Sequence, residues 1–232
     1  RVCATNQYKA YSGVRLCDDC PFFSTTMELE GLTSVSDCLC EPGYTGVLSS
    51  PASECSQCAV HTYKVNDGPQ PCSSCVENSG TVGQTGSLEV RACLCDPGYT
   101  GLLDTPDAQC TQCGADTYKE ASSREACSAC AGNSTTDGIV GASDVSQCKC
   151  DPGYYGTLSQ SDSACEMCPA DTYKEQIGTA ACDTCFINSG TDSAPGTVNL
   201  TSCLCAPGYY GSITNASSTC TMCPSGKFKV AY

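Results

Sequence analysis

Six cysteine positions recur every 55 residues in this chain, without insertion or deletion. They stand at Cys55, Cys58, Cys72, Cys75, Cys93 and Cys95, again from Cys110 to Cys150, and again from Cys165 to Cys205. Cys220 and Cys223 open a further copy, and Cys3, Cys17, Cys20, Cys38 and Cys40 match five of the six positions in an earlier one. A fixed period at this length marks a tandem-repeat architecture, in which each copy presents the same geometry to the next. Linkers of variable length would suit a string of independent beads, and there are none. The division expected is a partial repeat over 1–54, full repeats over 55–109, 110–164 and 165–219, and the start of another over 220–232. Because both ends fall inside repeats, the chain reads as a segment of a longer array.

Composition explains why the cysteines are needed. The chain has 232 residues, with 25 cysteines, no tryptophan and four phenylalanines. So few large apolar side chains cannot build one sizeable core, and covalent staples must replace it. The formal charge is -14, from 11 basic and 25 acidic side chains. That balance argues against nucleic-acid binding, which needs a basic footprint, and against an anionic membrane surface. No run of apolar residues is long enough for a membrane span. Secretion follows from the cysteine usage, as disulfides persist in oxidising compartments.

The CxxC-x13-CxxC spacing of Cys55, Cys58, Cys72 and Cys75 also fits a four-cysteine zinc site. The extra Cys-x-Cys pair in each copy has no role in such a site, so disulfides are the expected state and no metal is assigned. Two pairings remain open. One is sequential, as Cys168–Cys182 and Cys185–Cys203; the other is crossed, as Cys168–Cys185 and Cys182–Cys203. Both share a bridge that spans two periods: Cys40–Cys55, Cys95–Cys110, Cys150–Cys165 and Cys205–Cys220. In either case Cys223 is left without a partner inside the chain. Each bridge closes a short loop and stabilises by about 3 kcal/mol on the chain-entropy account.

Other positions repeat with the cysteines. Tyr-Lys follows the first CxxC at Tyr8-Lys9, Tyr63-Lys64, Tyr118-Lys119 and Tyr173-Lys174, with Phe228-Lys229 in the last copy. Pro-Gly-Tyr-x-Gly follows Cys-x-Cys at Pro42–Gly46, Pro97–Gly101, Pro152–Gly156 and Pro207–Gly211. Pro then Gly predicts a type II turn, and the tyrosines are expected to cover disulfides or the next copy. Secondary structure is expected to be sparse: short strands at Leu88-Glu89-Val90 and Gly138-Ile139-Val140, one irregular turn at Glu28-Leu29-Glu30, and little helix.

Together these motifs resemble the ephrin-receptor-like cysteine-rich module. The stretch from Cys203-Leu204-Cys205 to Cys220 is similar to the end of an epidermal-growth-factor-like domain. The resemblance implies a small disulfide-rich, elongated, extracellular array of the sort found in receptor ectodomains and in mastigoneme-like surface-fibre proteins of protists. The calcium-binding growth-factor-like variant carries an acidic lead into its first cysteine. Gln109-Cys110-Thr111-Gln112 and Ala164-Cys165-Glu166-Met167 depart from that pattern, so no calcium site is expected.

No catalytic constellation emerges. His61 is the sole histidine and stands where Asn6, Asp116 and Asp171 stand in other copies, which makes it an exposed loop residue. One histidine and bridged cysteines supply no nucleophile system, and no cofactor is implied beyond covalent glycans. N-glycosylation acceptors occur at Asn133, Asn199 and Asn215, and the density of Ser and Thr favours O-glycans too. Two functions follow as expectations. The first is a structural extracellular glycoprotein, a stiff rod or filament that self-associates or joins neighbouring structural proteins. The second is a receptor or adhesion ectodomain, with Phe22-Phe23 and the stretch from Ser24 to Val35, containing Met27, Leu29 and Leu32, as the place where a ligand site breaks the repeat symmetry.

Overall fold

A computed structural model describes residues 2–232. The chain divides into two units, residues 1–111 with 121–126, and residues 112–120 with 127–232. Each is built from two-residue antiparallel ladders, interrupted by single turns of 3-10 helix.

In the first unit the pattern runs three ladders to a copy. Gln7–Tyr8 pairs with Asp18–Asp19, Ser24–Thr25 with Leu39–Cys40, and Tyr44–Thr45 with Ser56–Gln57. Each ladder has its own staple: Cys3–Cys17, Cys20–Cys38 and Cys40–Cys55. The next copy repeats the first two ladders as Thr62–Tyr63 with Ser73–Ser74 and Ser79–Gly80 with Leu94–Cys95, stapled by Cys58–Cys72 and Cys75–Cys93; Cys95–Cys110 follows. Two-residue ladders are far below the length at which strands are stable alone. The cross-link holds each one in register.

The second unit is built the same way. Thr117–Tyr118 pairs with Ser128–Ala129, Ser134–Thr135 with Lys149–Cys150, Tyr154–Tyr155 with Glu166–Met167, and Thr172–Tyr173 with Asp183–Thr184. Ser189–Gly190 with Leu204–Cys205 and Tyr209–Tyr210 with Thr221–Met222 complete it. Its staples are Cys113–Cys127, Cys130–Cys148, Cys150–Cys165, Cys168–Cys182, Cys185–Cys203 and Cys205–Cys220. The pairing is therefore sequential throughout, and it contains the four period-spanning bridges. Cys223 is half-buried and makes no disulfide among the described residues.

The core is a series of small clusters of sulfur and phenol. Tyr8 packs with Val35, Cys38, Cys40, Leu48 and Cys55; Tyr63 with Cys93, Cys95 and Leu103; Tyr118 with Ala142, Val145, Cys148 and Leu158. The repeated tyrosines thus do cover disulfides.

The segments expected as strands are not strands. Val90–Ala92 is 3-10 helix, led in by extended Glu89, and Leu88 is exposed. Ile139 closes a turn on Thr136, with Gly138 and Gly141 at φ +78° and +72°. These apolar side chains lie between the ladders, where no partner strand runs. The turn near Glu28 is present, with Leu29 N–H donating to Thr26 C=O and Met27 and Glu28 in left-handed backbone.

Non-reducing peptide mapping should recover Cys58–Cys72 and Cys75–Cys93 and no Cys58–Cys75 species. Burial, helped by the nearby Asp18, Glu120 and Asp183, raises the phenol pKa of Tyr8, Tyr118 and Tyr173. The folded chain then keeps protons that the unfolded chain releases above about pH 10. Stability is intact below that pH and falls as pH rises through the raised values. Phenolate absorbance should therefore rise in two steps, the later one coinciding with unfolding.

Candidate functional site at the junction between copies

The Cys-x-Cys-x-Pro-Gly-Tyr stretch ends one copy, and the following CxxC and Tyr-Lys begin the next. In the first unit Glu41 C=O accepts from Tyr44 N–H across Pro42-Gly43, and Gly43 has φ +79°, the type II turn expected from Pro-Gly. A side chain on Gly43 would place Cβ 2.5 Å from Gly86 C=O in the next copy, so only glycine lets the two copies close.

Main-chain bonds then cross the junction in both directions. Gly43 N–H donates to Lys64 C=O at 2.9 Å, Cys58 N–H to Gly43 C=O at 2.8 Å, and Gly68 N–H to Cys40 C=O at 2.9 Å. The Lys64 side chain reaches back between them. Its Nζ donates to Tyr44 C=O at 2.7 Å and Cys40 C=O at 3.1 Å in the preceding copy, and to Gly68 C=O at 2.6 Å in its own. Lys64 is only 5% exposed. An ammonium has three protons and no acceptor, and three carbonyls satisfy it fully.

The second unit repeats this cage. Lys174, 4% exposed, donates to Tyr154 C=O at 2.6 Å, Gly178 C=O at 2.7 Å and Cys150 C=O at 3.3 Å. Gly153 N–H donates to Lys174 C=O at 2.9 Å and Cys168 N–H to Gly153 C=O at 2.9 Å. Farther on, Lys229 Nζ reaches Cys205 C=O at 2.6 Å and Gly208 N–H reaches Lys229 C=O at 2.9 Å. Lys9, in the first copy, keeps the bond to the carbonyl four residues on, Gly13, and makes one more, to Arg15 C=O at 2.8 Å. Burial pulls the Lys64 and Lys174 ammoniums below the ordinary lysine range, and Asp67 and Asp151 pull them back. No carboxylate enters the bonding; backbone dipoles hold the charge.

A second lock lies inside each copy. Asn6, His61, Asp116 and Asp171 all have left-handed backbone, φ +58° to +65°. The N–H of each donates to the Oγ1 of a buried threonine, Thr26, Thr81, Thr136 or Thr191, at 2.9–3.0 Å. The threonine N–H returns a bond to Asn6, Asp116 and Asp171 Oδ1. His61 is exposed, as expected, and holds a backbone position instead of a chemical one.

One ionic group breaks the symmetry. Arg91 Nε and Arg124 Nη2 both contact Asp104 Oδ1, at 3.2 and 2.5 Å. The guanidinium of Arg124, hydrogen-bonded to Asp104, and then that of Arg91 hold its carboxyl below the usual carboxylate range. Other copies have Ser or Thr in place of Asp104.

The glycan acceptors are all exposed. Asn133 has φ +60° and leads into Ser134–Thr135. Asn199 caps the 3-10 turn Leu200–Ser202 through Oδ1, and Asn215 Oδ1 accepts from Ser217 N–H at 2.9 Å. In the candidate ligand stretch, Phe22 is 89% and Met27 56% exposed, whereas Leu32 packs on the Tyr8 cluster. Phe23 stacks on Tyr44.

The repetition of Lys9, Lys64, Lys119, Lys174 and Lys229 in a chain with 11 basic residues was the available signal for the cage. The period of Thr26, Thr81, Thr136 and Thr191 was the signal for the second lock.

Comparison with known proteins bears on the kind of repeat. The family described as tyrosine-protein kinase ephrin type A/B receptor-like matches residues 102–148 and 153–203. Cysteine repeat modular protein A of Toxoplasma gondii is 31% identical over 208 residues, 82% of this chain and 6% of that protein. Sushi, von Willebrand factor type A, EGF and pentraxin domain-containing protein 1 of Mus musculus is 29% identical over 221 residues, 90% of this chain and 6% of that protein. Ephrin type-B receptor 4a of Danio rerio is 43% identical over 76 residues, 32% of this chain and 7% of that protein. The chain thus spans a small fraction of the curated relatives it matches. The repeats are cysteine-rich repeats of the ephrin-receptor-like and EGF-like kind, and with their disulfides they place the chain outside the cell or in the secretory route. No helix among the described residues is long and apolar enough to cross a membrane.

Lys64→Met should destabilise the oxidised chain by about 2–4 kcal/mol, because buried carbonyls lose their donor. Lys64→Arg should not rescue it, since a planar guanidinium cannot address three converging carbonyls. Lys9→Met should cost less than about 1 kcal/mol, its bonds being exposed. Denaturant titration without reductant checks all three.

Proposed function

We propose that this run of ephrin-receptor-like cysteine-rich repeats is a non-catalytic, load-bearing segment of a stiff extracellular rod or filament. The observation that carries the reading is the junction. A disulfide, crossed main-chain bonds and a caged lysine all link neighbouring copies, and the 55-residue period leaves no slack between them. Such a junction transmits force and orientation from copy to copy, which a spacer or fibre needs and a flexible tether does not. Equal repeats in fixed register favour helical self-association. The charge of -14, with glycans at Asn133, Asn199 and Asn215, keeps the outer surface solvated.

A second reading, a receptor or adhesion ectodomain, has one specific observation behind it. Phe22, Met27 and Leu29 are exposed together in the first copy, where the next copy has Glu77, Val82 and Gln84. Similarity to a protein named as an ephrin receptor supports the same reading.

Electron microscopy of the native, unreduced protein separates the two. Long fibres with an axial repeat commensurate with a few 55-residue units are expected. Separate short rods that stay unassociated at high concentration would overturn the filament and favour the ectodomain. Glycopeptide mapping should find sugar at all three acceptors, and a bare native chain would remove that part.

A further inference from the structure

We infer that Asn133 carries an N-linked glycan whose first N-acetylglucosamine lies on the ring of Tyr154, taking the place that Phe23 takes on Tyr44 two periods earlier in the chain. The inference rests on the reading of Asn133 as a used acceptor and adds what the sugar touches.

The first copy supplies the geometry. Phe23 has φ +60°, and its ring lies over Tyr44 with centroids 4.2 Å apart and planes within 7°. Its backbone is fixed there: Phe23 C=O accepts from Glu41 N–H at 2.9 Å, and Ser24 Oγ donates to Pro21 C=O at 2.6 Å. A stacked ring on the exposed side of the Pro-Gly-Tyr turn closes the face of the tyrosine.

Asn133 occupies the same position two periods later, and Tyr154 the position of Tyr44. The backbone restraints are the same. Asn133 has φ +60°, its C=O accepts from Asp151 N–H at 3.0 Å, and Ser134 Oγ donates to Ala131 C=O at 2.6 Å. The Cα–Cβ bond of residue 133 therefore leaves the backbone as it does at Phe23, on the side of the half-exposed Tyr154. Asn133 is shorter than phenylalanine and has no ring to lie on Tyr154. Among the described residues the Asn133 amide makes no hydrogen bond, whereas Asn199 and Asn215 both use Oδ1 to brace their turns. Asn78 and Asn188 stand at the same position but precede Ser-Gly and lack the acceptor motif.

Transfer from a lipid-linked diphospho-oligosaccharide joins Nδ2 to the anomeric carbon. The amide loses one proton, and the lipid diphosphate leaves. The sugar ring starts two bonds beyond the point where a phenyl ring would, so it covers the outer, hydroxyl-bearing part of Tyr154. A pyranose presents a face of polarised C–H bonds, and the negative π face of the phenol complements it.

The test uses the whole chain secreted from a eukaryotic host, with carbon-13 in the sugars and the glycans trimmed to one residue. Mass spectrometry should find Asn133 occupied. The C–H protons of its sugar should be displaced upfield by the ring current, relative to sugars on Asn199 and Asn215. Tyr154→Leu should abolish that displacement with Asn133 still occupied. Asn133→Phe should match the trimmed chain in Tm, and Asn133→Gln should melt about 1–4 °C lower. An occupied Asn133 whose sugar shifts match the other two sites would overturn the stacking alone. An unoccupied Asn133 would overturn the acceptor and the stacking together, and the mass distinguishes these outcomes.

Discussion

A lysine ammonium buried among three carbonyls is the interaction on which the relation between copies depends. Disulfides fix the hairpins, but a single Cβ–S–S–Cβ link across a period would still act as a pivot. Main-chain bonds of Gly43, Cys58 and Gly68 limit that freedom, and Lys64 closes the arrangement by bonding to Cys40 and Tyr44 behind it and to Gly68 ahead. Placing the charge among dipoles, with carbonyls and no carboxylate as its hydrogen-bond partners, has a consequence for specificity. Carbonyl direction depends on backbone conformation, so the cage exists only when the Pro-Gly-Tyr turn and the following Tyr-Lys ladder are both in place. Breaking either leaves a desolvated charge or unpaired carbonyls, each unfavourable by a few kcal/mol. Folding of one copy is thereby coupled to folding of the next.

The parts of the fold that rest on spacing were readable before any coordinates. Cysteine period, three bridges to a copy, the type II turn at Gly43 and the tyrosines against sulfur all follow from residues that repeat for one reason each. Pairing within the first four cysteines was not readable, because Cys58–Cys72 and Cys58–Cys75 differ by a few residues of loop and little in entropy. Ladder positions were misplaced for a related cause. Ile139 and Val140 look strand-like in isolation, yet the pairing partners are set by the staples, and the actual strands are polar pairs such as Ser73–Ser74 and Asp18–Asp19. The lysine cage and the buried threonines went unread because a repeated Lys or Thr is ordinarily a solvated residue. Only the structure shows their carbonyl and amide partners.

Repetition of the junction divides the surface into two kinds of position. The glycine, lysine and cysteines of the junction recur in each copy, whereas many of the positions around them vary. Variation falls at Phe22 and Met27 in the first copy, at the position shared by Phe23, Asn78, Asn133 and Asn188, and at the Arg91–Asp104–Arg124 group, which adds an ionic contact from one copy to the next. Mechanical continuity and site-specific decoration are therefore compatible in one chain, and the tyrosine of each turn sits where the two meet.

The central claim is that neighbouring copies move as one body. Residual dipolar couplings of the nitrogen-15-labelled, oxidised chain test it most directly, comparing residues 2–54 with residues 55–109. The account predicts one shared alignment tensor for both copies, with the magnitudes diverging in Lys64→Met. Two tensors of different magnitude in the unaltered chain would show independent copies on a pivot and would contradict it.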